Sequence, residues 1–246
     1  MSDPWNPLRK LTAARIAIGR CGGSLPTGEV LDFRLAHARA RDAVLSPFAP
    51  EALAGKLRGL GPEVVVVESA ARDRAEFLQR PDAGRRLAEG SRVVLGKMAA
   101  EPVDLTVVVS DGLSTLAVMT QAAPVLRELV PTLLASGWRL APIVVARHGR
   151  VALQDEVGAL FRARLSLMLL GERPGLGNAD SLGAYFTFAP GTGRTDADRN
   201  CLSNIRGGGL VPEEAARKLA WMLGEARRRE ISGVALKDSA GRPELG

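Results

Sequence analysis

"DLTVVVSDG", residues 104–112, decides how this chain is read. Thr106 and the three valines after it favour a pleated strand, and the polar turn Ser110-Asp111-Gly112 ends it. The apolar run is continuous rather than alternating, as in a strand covered on both faces. A helix pattern follows, opened by Ser114 and running to about Ser136. "RLAPIVVARHGR" (139–150) is a second strand and "VALQDEVGALFRA" (151–163) a second helix. "RLSLMLLGERPGLG" (164–177) is a third strand with its loop, and "GAYFTFAP" (183–190) a shorter fourth. Strands alternating with helices of ten or more residues predict an α/β fold: a Rossmann-like parallel sheet with helices on both faces.

Upstream the rhythm is mainly helical, which predicts a small helical N-terminal domain over 1–98 and the Rossmann-like domain over 99–246. "TGEVLDFRLAHARARDAV" (27–44) opens on Thr27 as an N-cap, with Leu31, Leu35 and Ala38 as its apolar face. His37, four positions after Phe33, reads as a packed or half-buried histidine. "RPDAGRRLAEGS" (80–91) offers Asp82 as the cap of a short basic helix. "EVVVVES" (63–69) reads equally as an isolated strand or a buried piece of helix, and periodicity does not decide. The last helix, from Pro212 to about Arg229, has proline at its first position, Glu213 and Glu214 in the first turn and arginines in the last. Its buried face is Ala215, Leu219, Met222, Leu223 and Ala226. The tail "KDSAGRPELG" reads as frayed.

The composition, 46% hydrophobic and 24% charged over 246 residues, is that of a folded chain with a real core. Aromatics are only 4%, so alanine, leucine and valine must build that core. Cys21 and Cys201 form neither a CxxC pair nor a disulfide framework, and two histidines argue against a dedicated zinc site. The N-terminus lacks the apolar segment of a secretory signal, and no run of about 18 apolar residues predicts a membrane span. A reducing, cytoplasmic setting is expected. The net charge of +6 admits an anionic ligand, an acidic partner subunit or nucleic acid. Basic stretches interleaved with aromatics are absent, so nucleic acid is not the expected partner, and a free-standing nucleotide- or RNA-binding module is the alternative reading.

In open parallel sheets ligands bind beyond the carboxyl ends of the strands. Three strand ends carry polar, glycine-bearing loops, "SDGLS", "RHGRV" and "GERPGLG", which should share one edge. "NCLSNIRGGGL" (200–210) is a candidate fourth wall. Glu172 and Arg173 can hydrogen-bond amides, hydroxyls or phosphate, as a large polar ligand requires. Familiar catalytic and nucleotide motifs fail: "GLGNADSLG" is not GxGxxG, and neither a P-loop nor a GxSxG elbow occurs. Asp111 reads as a turn or cap residue in preference to a base.

Together, "VVVSDGLST", "RHGRV", "GERPGLG", "DSLGAY", "ADRNCLSNI" and the earlier "RPDAGRRL" closely resemble the small subunit family of ethanolamine ammonia-lyase, over nearly the whole chain. That resemblance implies a subunit not catalytic alone, working with a large TIM-barrel subunit that holds the substrate. It implies adenosylcobalamin at the subunit interface, where cobalt–carbon homolysis starts the radical deamination of ethanolamine to acetaldehyde and ammonia. It carries cofactor contacts onto Val151, Glu172 and Cys201, and no catalytic or metal-ligating residue onto this chain. Proteins that replace cobalamin's lower base with histidine carry D-x-H-x-x-G; His148 has alanine two residues before it, so the base-on form is expected. Some members are packed inside a bacterial microcompartment and carry a long N-terminal extension. Here that extension is nearly absent, which weakens the expectation of such targeting.

Overall fold

The computed structural model of the protein describes residues 5–12 and 14–237. The end of the tail, residues 238–246, lies outside the described residues. The strands β1 (Val64–Glu68), β2 (Leu105–Ser110), β3 (Ile143–Arg147), β4 (Leu165–Gly171), β5 (Leu182–Phe188) and β6 (Arg199–Ile205) form one sheet in the order β1-β3-β2-β4-β5-β6. The first four in that order run parallel. The α/β architecture follows the sequence pattern. The antiparallel returns of β5 and β6 were not foreseen. Their cause is connection length: a parallel crossover takes about a dozen residues or more, whereas only residues 172–181 and 189–198 link these strands.

"EVVVVES" resolves as strand: β1 pairs in register with β3, Val64 opposite Ile143. β1 precedes residue 98 and its partner follows it, and Leu53 and Leu57 share a core cluster with Leu105 and Val107. Sheet and core therefore run across that position.

The helices are α1 (Thr27–Leu45), α2 (Pro50–Leu57), α3 (Arg74–Gln79), α4 (Glu89–Met98), α5 (Thr115–Ala117), α6 (Ala123–Ala135), α7 (Leu153–Leu160) and α8 (Pro212–Arg229). Ser114 caps α5, accepting from the Ala117 N–H, and a π-turn over Val118–Ala122 joins α5 to α6. Side chains alternate across the strands. Val107, Val109, Ile143, Val145, Leu167 and Leu169 meet α2, α6 and α8 on one face. Val108, Val144, Ala146, Met168 and Leu170 meet α4 and α7 on the other. The expected inner face of α8 is buried at each position, from Ala215 to Ala226.

Coverage is unequal at the β5–β6 edge. Leu182, Ala184, Phe186 and Ile205 are buried on the α6–α8 face. On the opposite face Tyr185 is half-buried and Cys201 and Ser203 are exposed. α1 departs from expectation. Leu31, Phe33 and Leu35 are exposed, and Ala43 is its buried residue. His37 is exposed as well, stacked on Phe33 at 6.4 Å between ring centroids. The last turn of α1 is tied to the body: Arg74 Nε donates to the Val44 carbonyl, and Thr115 Oγ1 to that of Ser46, the C-cap. Asp82 does not cap with its side chain; its carboxylate accepts from Arg80 instead.

Candidate functional site

The C-terminal ends of β2, β3 and β4 lie at one edge because these strands are parallel neighbours. The chain leaves β2 towards β3 on one side and leaves β4 towards β5 on the other. The connections thus part between β2 and β4, the point where open α/β sheets bind ligands. Two glycines allow the backbones to close up there. Gly112 has φ +53°, and a Cβ on it would stand 2.4 Å from the Gly171 carbonyl oxygen. A Cβ on Gly171 would stand 2.1 Å from the Ser114 carbonyl oxygen.

Beneath the edge lies Asp111, 1% exposed. Its carboxylate accepts from the His148 backbone N–H at 2.7 Å, from Arg74 Nη1 at 2.9 Å and from Ser110 Oγ at 3.1 Å. His148 Nδ1 is 3.2 Å from Oδ2. The same Arg74 Nη1 donates to the Gly112 carbonyl, and the Gly149 N–H donates to Ser110 Oγ. His148 has φ +56°, a left-handed conformation that this clamp holds in place. Asp111 is therefore a buried tie between the loops after β2 and β3, consistent with its reading as a turn residue.

Above it opens a cleft of ≈ 410 Å³ whose lining takes Leu113 after β2, Arg150 and Val151 after β3, and Glu172 and Arg173 after β4. Phe77 closes one side; Tyr185 and Ser203 form the floor. Val151 and Glu172 thus share one cleft. Cys201 lies beside it, opposite Tyr185 in the β5–β6 register. Glu172 is held by three donors: Ser181 Oγ and Ser203 Oγ, each at 2.5 Å, and the Asn204 N–H at 3.3 Å. The ladder shifts register near this point, with Asn204 at φ +60°, and this irregularity aims Ser203 and the Asn204 N–H at the carboxylate. Two carboxylate oxygens offer about four acceptor sites, so one remains for a ligand.

Burial, and then Cys201 and Glu172, hold the Tyr185 phenol above its ordinary value. Desolvation likewise raises the Cys201 thiol, although the residue keeps an exposed surface; the Tyr185 hydrogen bond opposes this and Glu172 adds to it. Both groups stay protonated near neutrality, so the floor offers a neutral phenol and thiol. Tyr185, Ser181, Ser203, Phe77 and the Arg74–Asp111–His148 clamp were not assigned to the site from sequence. Only the polar character of "NCLSNI" on a candidate wall pointed to Ser203.

A family profile described as ethanolamine ammonia-lyase light chain matches residues 2–237. Among curated relatives, the ethanolamine ammonia-lyase small subunit of Pseudomonas aeruginosa is 53% identical over 241 residues, 97% of this chain and 88% of its own. That of Azotobacter vinelandii is 54% identical over 97% of this chain and 89% of its own. That of Ralstonia nicotianae is 52% identical over 99% and 91%. With such identity along nearly its whole length, this chain belongs to the ethanolamine ammonia-lyase light chain family.

Proposed function

We propose that this lyase subunit works with a large subunit to hold adenosylcobalamin for the deamination of ethanolamine, and that its cleft forms one side of the cofactor site. The observation that carries the reading is the meeting of Val151 and Glu172 in one open cleft at the parting of the β2 and β4 connections. Pockets for drug-sized ligands measure about 300–1,000 Å³. A cobalamin is larger, so an open cleft of ≈ 410 Å³ reaches one side of it and leaves the rest to a partner. The residues suit such a ligand. A corrin ring is an apolar disc fringed with amides; Val151 and Leu170 offer apolar surface and Glu172 a fixed acceptor.

When bound, the cofactor supplies the radical chemistry, and the protein's part is orientation and exclusion of water. Glu172 accepts an amide N–H on its remaining lone pair, with Ser181 and Ser203 keeping its rotamer fixed. Val151 gives apolar contact at the start of the loop into α7, and Cys201 extends the neutral floor. His148 helps to hold the loop after β3: its Nδ1 faces Asp111 and its ring packs against Phe77 at 5.9 Å. Substrate-handling groups belong to the large subunit. No helix among the described residues is long and apolar enough to cross a membrane.

Reconstitution tests this. The chain, the large subunit, adenosylcobalamin and ethanolamine together should release acetaldehyde, and the large subunit alone should not. Glu172→Ala should weaken cobalamin retention on gel filtration while both subunits still co-elute. Equal activity without this chain would overturn the proposal, and unchanged retention would remove Glu172 from the site.

A further inference from the structure

Among the described residues, three guanidinium groups at the rim of the cleft form no ion pair. Arg150 is pinned: its plane lies over the Phe77 ring at 4.2 Å, and Nη2 donates to the Phe77 carbonyl at 2.7 Å. Its Nε is buried and finds no hydrogen-bond acceptor among the described residues. Gly84 brings Arg85 alongside. The Arg150 N–H donates to the Gly84 carbonyl at 2.7 Å, and a Cβ on Gly84 would collide with Arg150 Cγ at 2.8 Å. Arg85 and Arg150 line one recess together, and Arg150 and Arg173 line the cleft that adjoins it.

Nearby charges of either sign are otherwise committed. Arg74 is paired with Asp111, Arg199 with the buried Asp155, and Arg194 with Asp198. Of the acidic groups at the rim, Glu172 is engaged by its three donors, and Asp196, fully exposed to solvent, lies 3.7 Å from Arg199 Nε. Burial, and then the like charges of Arg85, Arg74 and Arg173, pull the Arg150 guanidinium below its ordinary value. Like charges crowded without an anion are unfavourable, and a buried donor left unpaired is costly. Arginine forks match the oxygens of phosphate groups.

We infer that Arg85, Arg150 and Arg173 form a binding site for a phosphate group at the rim of the cleft. Two sources share that chemistry: the phosphodiester of the nucleotide tail of a bound cobalamin, and free phosphate. The first source rests on the function proposed above; the anion site itself does not.

The test uses Arg85→Ser/Arg173→Ser, because both residues are exposed and their loss leaves the Arg150–Phe77 stack intact. Equilibrium dialysis against the complex with the large subunit compares cyanocobalamin with dicyanocobinamide, which lacks the nucleotide tail. In parallel, the melting of the chain alone is measured in inorganic phosphate against chloride at equal ionic strength. The expected result is about a tenfold loss of cyanocobalamin affinity in the variant, roughly 1.4 kcal/mol, with cobinamide unchanged, and loss of the phosphate-specific rise in melting temperature. A lost phosphate response with no cobalamin-specific change keeps the anion site and assigns it to free phosphate. If cobalamin fails to bind the parent complex, the proposed function falls while the phosphate arm still judges the site. The inference is overturned if the variant matches the parent in both arms, or if cobalamin and cobinamide weaken equally while phosphate has no effect on the parent.

Discussion

Replacing Asp111 with alanine tests whether the cleft is held from below. The carboxylate is 1% exposed, and its partner Arg74 keeps 18% of its side chain exposed. Asp111→Ala leaves that guanidinium in a protein interior without its counter-charge, and leaves the His148 N–H without an acceptor. Removing one partner of a buried ion pair costs about 3–5 kcal/mol. At about 2–4 °C per kcal/mol for a chain of this size, melting should fall by roughly 6–20 °C. Asp111→Asn keeps an acceptor for the His148 N–H and loses the charge, so its cost should be nearer that of one hydrogen bond to a charged group, about 1.5–3 kcal/mol. The double variant Asp111→Ala/Arg74→Met should be less damaged than the sum of its singles, because no charge is left stranded. The assay is thermal unfolding of the full chain, followed by circular dichroism. An Asp111→Ala protein melting within about 2 °C of the parent would refute the clamp, given the few kcal/mol expected. So would an asparagine variant as damaged as the alanine one.

Other expectations are read in simpler assays. Gly171→Ala places a methyl 2.1 Å from the Ser114 carbonyl oxygen and 2.5 Å from that of Asp111, both backbone atoms that cannot rotate away. It should abolish soluble expression or lower melting sharply, whereas Gly175→Ala meets nothing within 4 Å and should stay within about 0.5 kcal/mol of the parent in urea unfolding. Leu219→Ala, at a position with no exposed surface, should cost about 2–5 kcal/mol in the same assay by opening a cavity under α8. Because the Cys201 thiol is raised, less thiolate is present at any given pH near 8. Its alkylation by iodoacetamide in a Cys21→Ser background should be slower than that of free cysteine, and Glu172→Gln should speed it by removing one of the raising charges.

What could be read from the sequence follows physical lines. The β2, β3 and β4 segments are continuous apolar runs flanked by turns, and burial on both faces produces that signal directly. α8 was legible end to end because its proline, its acidic first turn, its basic last turn and its apolar stripe agree. The ambiguity at 63–69 could not be settled locally, since four valines suit a buried strand and a buried helix turn alike. Long-range pairing with β3 decided it. The apolar positions of α1 recur at helical spacing, yet Leu31 and Leu35 are exposed. Periodicity states which residues share a face and is silent about what that face meets.

The remaining failures gather at one place. β6 escaped notice because its open face carries Cys201 and Ser203, polar or small residues that break the apolar alternation by which a covered strand is recognised. Arg150 lies in "RHGRV", one of the loops expected at the site, but no role could be read for it, since its convergence with Arg85 depends on Gly84 lying against a loop more than sixty residues away in sequence. In both cases the local rule broke where the sheet stops packing against its own helices. A strand covered on one face only has an outer surface shaped by something other than this chain's core. On that surface stand the Glu172 carboxylate, a neutral phenol and thiol, and, at its border, guanidinium groups with no ion pair among the described residues. Sequence reasoning from self-packing therefore fails on the surface where a ligand and a partner subunit would complete the structure, which makes those failures part of the argument for the site.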